Sequence, residues 1–471
     1  MSQDKKRYDL VVIGSGPAGH KAAIQAAHCG RSVLLVDRDP TPGGECVHRG
    51  TIPSKTLRES ALYLAGLKQR AAGIASSEVT GHTKVESLMK RLEHVRHAHE
   101  QFMGGQIGRA GIEFQRGRAR FTGPHELEIT LPGNKRRSVQ AEFFVIATGS
   151  RPRLPAEMRI DHEQILDSDS ILSLIYLPTS LTVLGAGVIA SEFATIFQAL
   201  GVKVTMVDKS PRPLAFLDPE ITERFVQAFQ AMGGTWIPGR KPVGCATDGI
   251  SATVTTLDDG SLLRSEKTLV ALGRTACVSG LDLAALGLAT NERGYIPVDA
   301  NLRTQLAHVY AAGDVVGPPA LAASSMEQGR RAARHAFGLP LGTSSETIPA
   351  GIYTIPEMSS IGLSESEART RHGSVLVGRA FFRELARGQI SGDVEGMLKL
   401  VADPVAGRVL GAQIIGEGAT ELIHLTQMAL VGGMTVDTFI DNVFNFPTLA
   451  EAYRVAALEC VAQRAQLRLA G

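Results

Sequence analysis

Tyr8-Asp9-Leu10-Val11-Val12-Ile13-Gly14-Ser15-Gly16-Pro17-Ala18-Gly19 stands near the start of the chain. Its first six residues read as a buried parallel strand and its glycine run as a tight turn. The alanine-rich stretch from His20 to Cys29 comes next as a helix, and Arg31 to Val36 as a second strand ending at Asp37. Strand, glycine turn, helix, strand and acid in that order form a dinucleotide-binding unit. Gly14 permits the turn, Gly16 lets the backbone approach a pyrophosphate, and Gly19 lets helix and strand pack closely. The pyrophosphate meets free N–H groups at the positive end of the helix. Asp37 is placed to accept a hydrogen bond from a ribose hydroxyl.

The unit appears twice. Leu181 to Leu184 is a strand, Gly185-Ala186-Gly187-Val188-Ile189-Ala190 the turn, and Ser191 to Leu200 the helix. Val202 to Val207 is the next strand, ending at Asp208. In both copies the acid lies 23 residues after the first glycine, and the copies are offset by 171. This is a duplication on the scale of domains, not a short solenoid repeat. The expected fold class is α/β with two Rossmann-like domains.

The rest of the chain narrows the field. Its 471 residues suffice for about three domains. Hydrophobic residues at 44% and charged residues at 20% are ordinary globular values, so disorder and fibre are excluded. A net charge of +2 gives no reason to expect nucleic acid. The basic run Lys135-Arg136-Arg137, beside Pro132-Gly133-Asn134, reads as a solvated hairpin turn. The polar start Met1 to Arg7 has no apolar signal region, and no apolar run reaches the ~18 residues of a membrane span. The five cysteines (Cys29, Cys46, Cys245, Cys277, Cys460) are scattered, which argues against a disulfide framework and a zinc site. A cytoplasmic protein with no metal is expected. Residues 57–105 read as long helices whose histidines, His82, His94, His97 and His99, lie on solvated faces.

The residues beyond Asp37 distinguish the two copies. Gly43-Gly44-Glu45-Cys46 and Gly50-Thr51-Ile52-Pro53-Ser54-Lys55 resemble the signature of the flavoprotein disulfide reductase family, the class I pyridine nucleotide-disulfide oxidoreductases. Ala147-Thr148-Gly149-Ser150-Arg151-Pro152 is similar to its crossing between domains, Tyr310-Ala311-Ala312-Gly313-Asp314 to its second FAD motif, and Glu327-Gln328-Gly329 to the helix beyond. The resemblance implies FAD on the first copy, held by Gly14, Gly16, Gly19, Asp37, Arg38, Gly43, Gly44, Glu45, Cys46, Lys55, Thr148, Gly149, Gly313 and Asp314. It implies NAD or NADP on the second, at Gly185, Gly187, Ala190, Asp208, Lys209, Arg212, Gly273 and Arg274. It also implies a catalytic ion pair, Lys55 with Glu192, beside the flavin N5, where positive charge stabilises the anionic reduced ring. The implied layout is an FAD domain over 1–150 and 276–345, an NAD(P) domain over 151–275, and an α+β dimerisation domain over 346–471. A homodimer or larger homo-oligomer is expected.

Two positions depart from the family. Thr51 replaces the second cysteine, and a hydroxyl forms neither the disulfide nor the thiolate. Phe446 replaces the C-terminal histidine before Pro447-Thr448-Leu449-Ala450-Glu451, and phenylalanine does no acid–base work. With the dithiol machinery gone and both nucleotide units kept, the pattern resembles one branch, the soluble (Si-specific) pyridine nucleotide transhydrogenases. Asp167 to Leu172, Leu214 to Asp218, Gly351 to Gly362 and Phe444 to Ala457 carry that likeness. It implies NADPH + NAD⁺ ⇌ NADP⁺ + NADH by a ping-pong cycle through FAD. The alternatives are an NAD(P)H oxidase or quinone/dye reductase, and a non-catalytic dinucleotide sensor or lipoamide dehydrogenase-like subunit.

Two side-chain questions stay open at this level. Cys46 is either inherited packing or a lone reactive thiol. Asp208 favours the free 2′-hydroxyl of NAD, whereas Lys209 and Arg212 either meet the 2′-phosphate of NADP or are surface charges on a turn.

Overall fold

A computed structural model describes residues 6–74, 85–342 and 347–470. His82 and the expected junction near 345 lie outside the described residues. Strand Lys6–Ile13 lies between Val33–Asp37 and Arg136–Ile146, parallel to both, and Glu113–Arg116 extends the sheet beyond Val33–Asp37. Val33–Asp37 is buried at every residue, as a strand covered on both faces must be. The hairpin Arg118–Gly123 and Glu126–Thr130 joins antiparallel and alternates instead, with Ala119, Phe121, Leu127 and Ile129 turned inward. The chain then leaves, and it returns some 160 residues later as Val309–Ala311, parallel to Arg136–Ile146.

The excursion builds a second parallel sheet, ordered Thr235–Ile237, Lys203–Val207, Ser180–Leu184, Lys267–Val270 and Ile165–Leu166. Its outward and return crossings pair with each other, Ser150–Pro152 antiparallel to Arg274–Ala276. A third sheet, all antiparallel, carries Ala350–Ile352, Met358–Gly362, Val409–Ile415, Met397–Ala402 and Leu376–Phe381 in that order. The observed class is therefore α/β with two Rossmann-like sheets and a C-terminal α+β unit. The expected long helices within 57–105 belong to Thr51–Ile74 and Val85–Arg109.

Buried charge fixes the second sheet's layer on the third. Lys399 is 4% exposed, and its Nζ lies 2.8 Å from Glu365, 3.0 Å from Glu220 and 3.1 Å from Asp218. Asp218 also caps helix Pro219–Ala231 by accepting from the Glu220 N–H. The expected solvated hairpin turn joins Glu126–Thr130 to Arg136–Ile146 with Lys135 and Arg136 exposed, whereas Arg137 is partly drawn in. Its guanidinium folds back onto Glu113 at 2.8 Å and the Tyr8 hydroxyl at 2.7 Å. Burial pushes the Glu113 carboxyl up, but hydrogen bonds from Lys6, Tyr8 and Arg137 bring it down to about 2.

His20, on helix Pro17–His28, is 3% exposed and its Nε2 has no partner. Burial, then the charges of Lys21 and His99, bring it down from 6.5 to about 4. The folded chain keeps this imidazole neutral while the unfolded chain protonates it. Stability present above pH 6.5 is therefore lost as pH falls from 6.5 towards 4. Urea midpoints at pH 7.5 and 5 are expected to differ less for His20→Leu than for the parent chain. An unaltered difference would remove His20 from the acid response.

Candidate functional site

The two glycine turns face one another across a single cavity of 1710 Å³. Gly14 has φ +101° and Gly185 φ +116°, matched left-handed turns that only glycine adopts cheaply. Helices Pro17–His28 and Val188–Ala199 both begin at a glycine, Gly16 and Gly187, with no side chain capping their first N–H groups. Those groups are left for a ligand, the arrangement that holds phosphate. Gly19 does not reach the cavity. A β-carbon there would stand 1.8 Å from the Gly14 carbonyl oxygen, so its part is close helix–strand packing. Ala190, buried at the equivalent position, also lies away from the cavity wall.

The first half of the cavity carries most of the expected FAD residues: Gly14, Gly16, Asp37, Arg38, Gly44, Glu45, Cys46, Lys55, Thr148, Gly149, Gly313 and Asp314 line it. Gly43 supports from behind, its N–H donating to the Ser15 carbonyl. Asp37 is more committed than its motif suggests, since Oδ2 accepts from both the N–H and the hydroxyl of Ser15, each at 2.6 Å. The Thr148 hydroxyl is buried on the cavity wall without a partner, a polar group open to a bound ligand. Uncapped helix ends, an unpaired wall hydroxyl and open space over Gly149 together fit a flavin dinucleotide.

Arg274, expected on the NAD(P) side, lines the shared cavity, and its side chain extends to residues expected on the FAD side because Arg274–Ala276 pairs with Ser150–Pro152. Its Nε donates to Ser150 Oγ at 2.7 Å, and Ser150 Oγ donates to Asp314 Oδ2 at 2.6 Å. The guanidinium also lies 3.7 Å from Glu45, whose carboxylate sits among Arg38, Arg49 and Arg274. Behind this cluster Asp169, which no sequence motif marks as a site residue, is pushed up to about 7 by burial and by Glu45. Arg212 is a correction. Its guanidinium donates to the Ala215 carbonyl at 3.0 Å and to Thr222 at 3.4 Å, away from the cavity. Gly185, Gly187, Asp208, Lys209 and Gly273 do line it.

At the junction of the two halves, Lys55 Nζ donates to Glu192 Oε2 at 2.6 Å. Lys55 comes from helix Thr51–Ile74 and Glu192 from the first turns of Val188–Ala199, so the pair joins the two nucleotide domains. Glu192 is 4% exposed, and its other oxygen accepts the Tyr353 N–H at 2.9 Å. The Tyr353 ring lies 4.9 Å from Lys55 Nζ, a cation–π contact that no sequence motif announced. Cys46 and Thr51 share the same wall. Burial pushes the Cys46 thiol up, against a hydrogen bond with Thr51 and the charge of Lys55, the direction that disfavours the thiolate. Phe446 is 75% exposed and apart from the cavity, while Glu451 accepts its own segment's Thr448 N–H. Among the described residues no cluster could hold a metal.

Fold and cavity define an oxidoreductase built on two dinucleotide sites that share one junction. The chain belongs to the pyridine nucleotide-disulphide oxidoreductase family, which it matches over residues 8–329, with that family's dimerisation domain over 348–457. It is 44% identical over 455 residues to the soluble pyridine nucleotide transhydrogenase of Mycobacterium tuberculosis (strain ATCC 25177 / H37Ra), covering 96% of this chain and 97% of the relative. The protein of the same name from Hahella chejuensis is 37% identical over 462 residues, covering 96% and 98%. Among solved structures, LpdA from Mycobacterium tuberculosis superposes with a TM-score of 0.89 at 26% identity, covering 96% of this chain and 99% of that one. The HOCl-induced flavoprotein disulfide reductase RclA of Escherichia coli gives 0.86 at 25% identity, with the same coverage.

Proposed function

We propose that this chain catalyses NADPH + NAD⁺ ⇌ NADP⁺ + NADH as an FAD-dependent transhydrogenase, the two dinucleotides using the second site in turn. The observation that carries this reading is one cavity joining both nucleotide units, with Lys55–Glu192 at the junction and threonine where a second thiol would stand. FAD held by the first unit would supply a hydride carrier between one dinucleotide and the next. With Thr51 in place of a second cysteine, Cys46 has no partner with which to form a disulfide that could receive those electrons, so the acceptor comes from solution. Lys55 supplies the positive charge at the junction, and Glu192 and Tyr353 fix where it stands. Gly187 and the uncapped end of Val188–Ala199 receive the pyrophosphate of the dinucleotide.

The matched dimerisation domain supports a homodimer. Among the described residues no helix is long and apolar enough to cross a membrane, and the cytoplasm, where both dinucleotides are available, is the proposed setting. A single turnover tests the reading. The holoenzyme is treated anaerobically with one equivalent of NADPH, freed of NADP⁺ on a desalting column, and mixed with NAD⁺. One NADH per flavin is expected. Flavin that stays bleached with NAD⁺ and recovers only with a quinone or oxygen would replace this reading with a reductase.

A further inference from the structure

A site that serves two dinucleotides must accept a ribose carrying a 2′-hydroxyl and one carrying a 2′-phosphate. Around Asp208 the chain presents four cations, Lys209, Arg212, Arg240 and Lys241. Two are tied elsewhere: Arg212 by the Ala215 carbonyl and Thr222, and Arg240 by Asp259, whose carboxylate lies 3.1 Å from its Nε. The other two, Lys209 and Lys241, are exposed and line the cavity beside Asp208. Among the described residues neither forms an ion pair with a carboxylate.

Lys241 stands 33 residues after Asp208, yet backbone hydrogen bonds clamp its loop to that of Asp208. The Asp208 N–H donates to the Ile237 carbonyl at 3.3 Å, the Gly239 N–H to Ser210 at 3.2 Å, and the Arg240 N–H to Asp208 at 3.0 Å. Beyond Lys241, Pro242 opens strand Pro242–Thr247, and the Lys241 carbonyl accepts from the Asp258 N–H at 2.9 Å. The backbone that carries Lys241 is therefore as fixed as the one that carries Asp208. The Asp208 Oδ1 is itself held by the Ser210 N–H at 2.8 Å.

We infer that Lys241, with Lys209, reads the 2′-phosphate of NADP(H), while Asp208 reads the 2′-hydroxyl of NAD(H). The inference rests on the proposal that both dinucleotides use the second site, and it names the residue that makes dual use possible. A 2′-phosphate brings nearly two negative charges towards Asp208 and needs cations to offset the repulsion. A rigid arginine fork would hold that positive charge in place whichever ligand was bound. Lysine is a hydrated point charge on a flexible stem, which swings to a phosphate or stays in water at little cost. Two such lysines beside one carboxylate suit a site that is neither strictly NAD nor strictly NADP.

The test reads binding, not turnover. NADP⁺ and NAD⁺ are titrated separately into the oxidised holoenzyme by calorimetry. Lys241→Ala is expected to raise the Kd for NADP⁺ about tenfold and that for NAD⁺ less than about twofold, as befits loss of one charge-assisted contact. Lys241→Arg restores most of the NADP⁺ affinity, and Arg240→Ala, which removes an equal charge next door, leaves both constants unchanged. Equal weakening of both ligands, or no change for NADP⁺, would overturn the role of Lys241. A parent chain that binds NAD⁺ but no NADP⁺ would overturn the dual-use reading itself.

Discussion

Lys55→Met is expected to slow reduction of the bound flavin by NADPH by about 10²–10³-fold, the range seen when one charge-stabilising donor is removed from a water-poor site. The physical reason is a change of sign. Lys55 and Glu192 together are neutral, joined at 2.6 Å, and Glu192 is buried. Without the lysine, an uncompensated carboxylate remains at the junction where negative charge must build up, and it opposes that build-up. Lys55→Arg keeps the charge and is expected to recover much of the rate. Stopped-flow reduction under anaerobic conditions measures it, with flavin content as the check on folding. A rate equal to the parent's would remove this pair from the chemistry and leave it as a clasp between domains.

Gly187→Val is expected to abolish use of either dinucleotide, by about a thousandfold or more, while the chain folds and keeps its flavin. Gly187 has φ −80° and ψ −174°, extended backbone that valine adopts freely. A β-carbon at Gly187 has no heavy atom within 4 Å, so no protein group resists it. The new side chain instead fills the space above the uncapped helix end, where the pyrophosphate's hydrogen bonds are made. Gly19→Val is the contrasting case, since its β-carbon would meet a backbone oxygen at 1.8 Å and the loss there is of the fold itself. Binding titrations with NADP⁺ on flavin-replete protein separate the two outcomes. Normal affinity in Gly187→Val would mean that the pyrophosphate does not sit at this turn.

The two glycine turns and the acids that end the next strands were legible because each rests on a local pattern, whereas the Lys55–Glu192 pair, 137 residues apart in the chain, was legible only through the family resemblance. The replacement of thiol and base by Thr51 and Phe446 was equally plain, since one residue type decides it. Features that stayed hidden depended on where side chains turn. Arg212 stands four residues after Asp208, but the Ala215 carbonyl in its own loop captures it. Arg274 sits just past the return glycine, but the pairing of Arg274–Ala276 with Ser150–Pro152 throws it across to Ser150. Tyr353 reaches Lys55, and Lys241 reaches the neighbourhood of Asp208, only through contacts between segments far apart in the chain. Arg137 looked like a surface charge because no local pattern reveals that Glu113 and Tyr8 lie beneath it.

Transhydrogenation by this chain requires hydride to pass between dinucleotides with no protein dithiol and no third acceptor. Initial rates of thio-NADH formation, measured anaerobically over a grid of NADPH and thio-NAD⁺ concentrations, test it most directly. Rapid turnover with parallel double-reciprocal lines is the predicted result, because each dinucleotide leaves the second site before the other enters. Intersecting lines would contradict sequential use of one site, and the absence of thio-NADH despite a reducible flavin would contradict transhydrogenation.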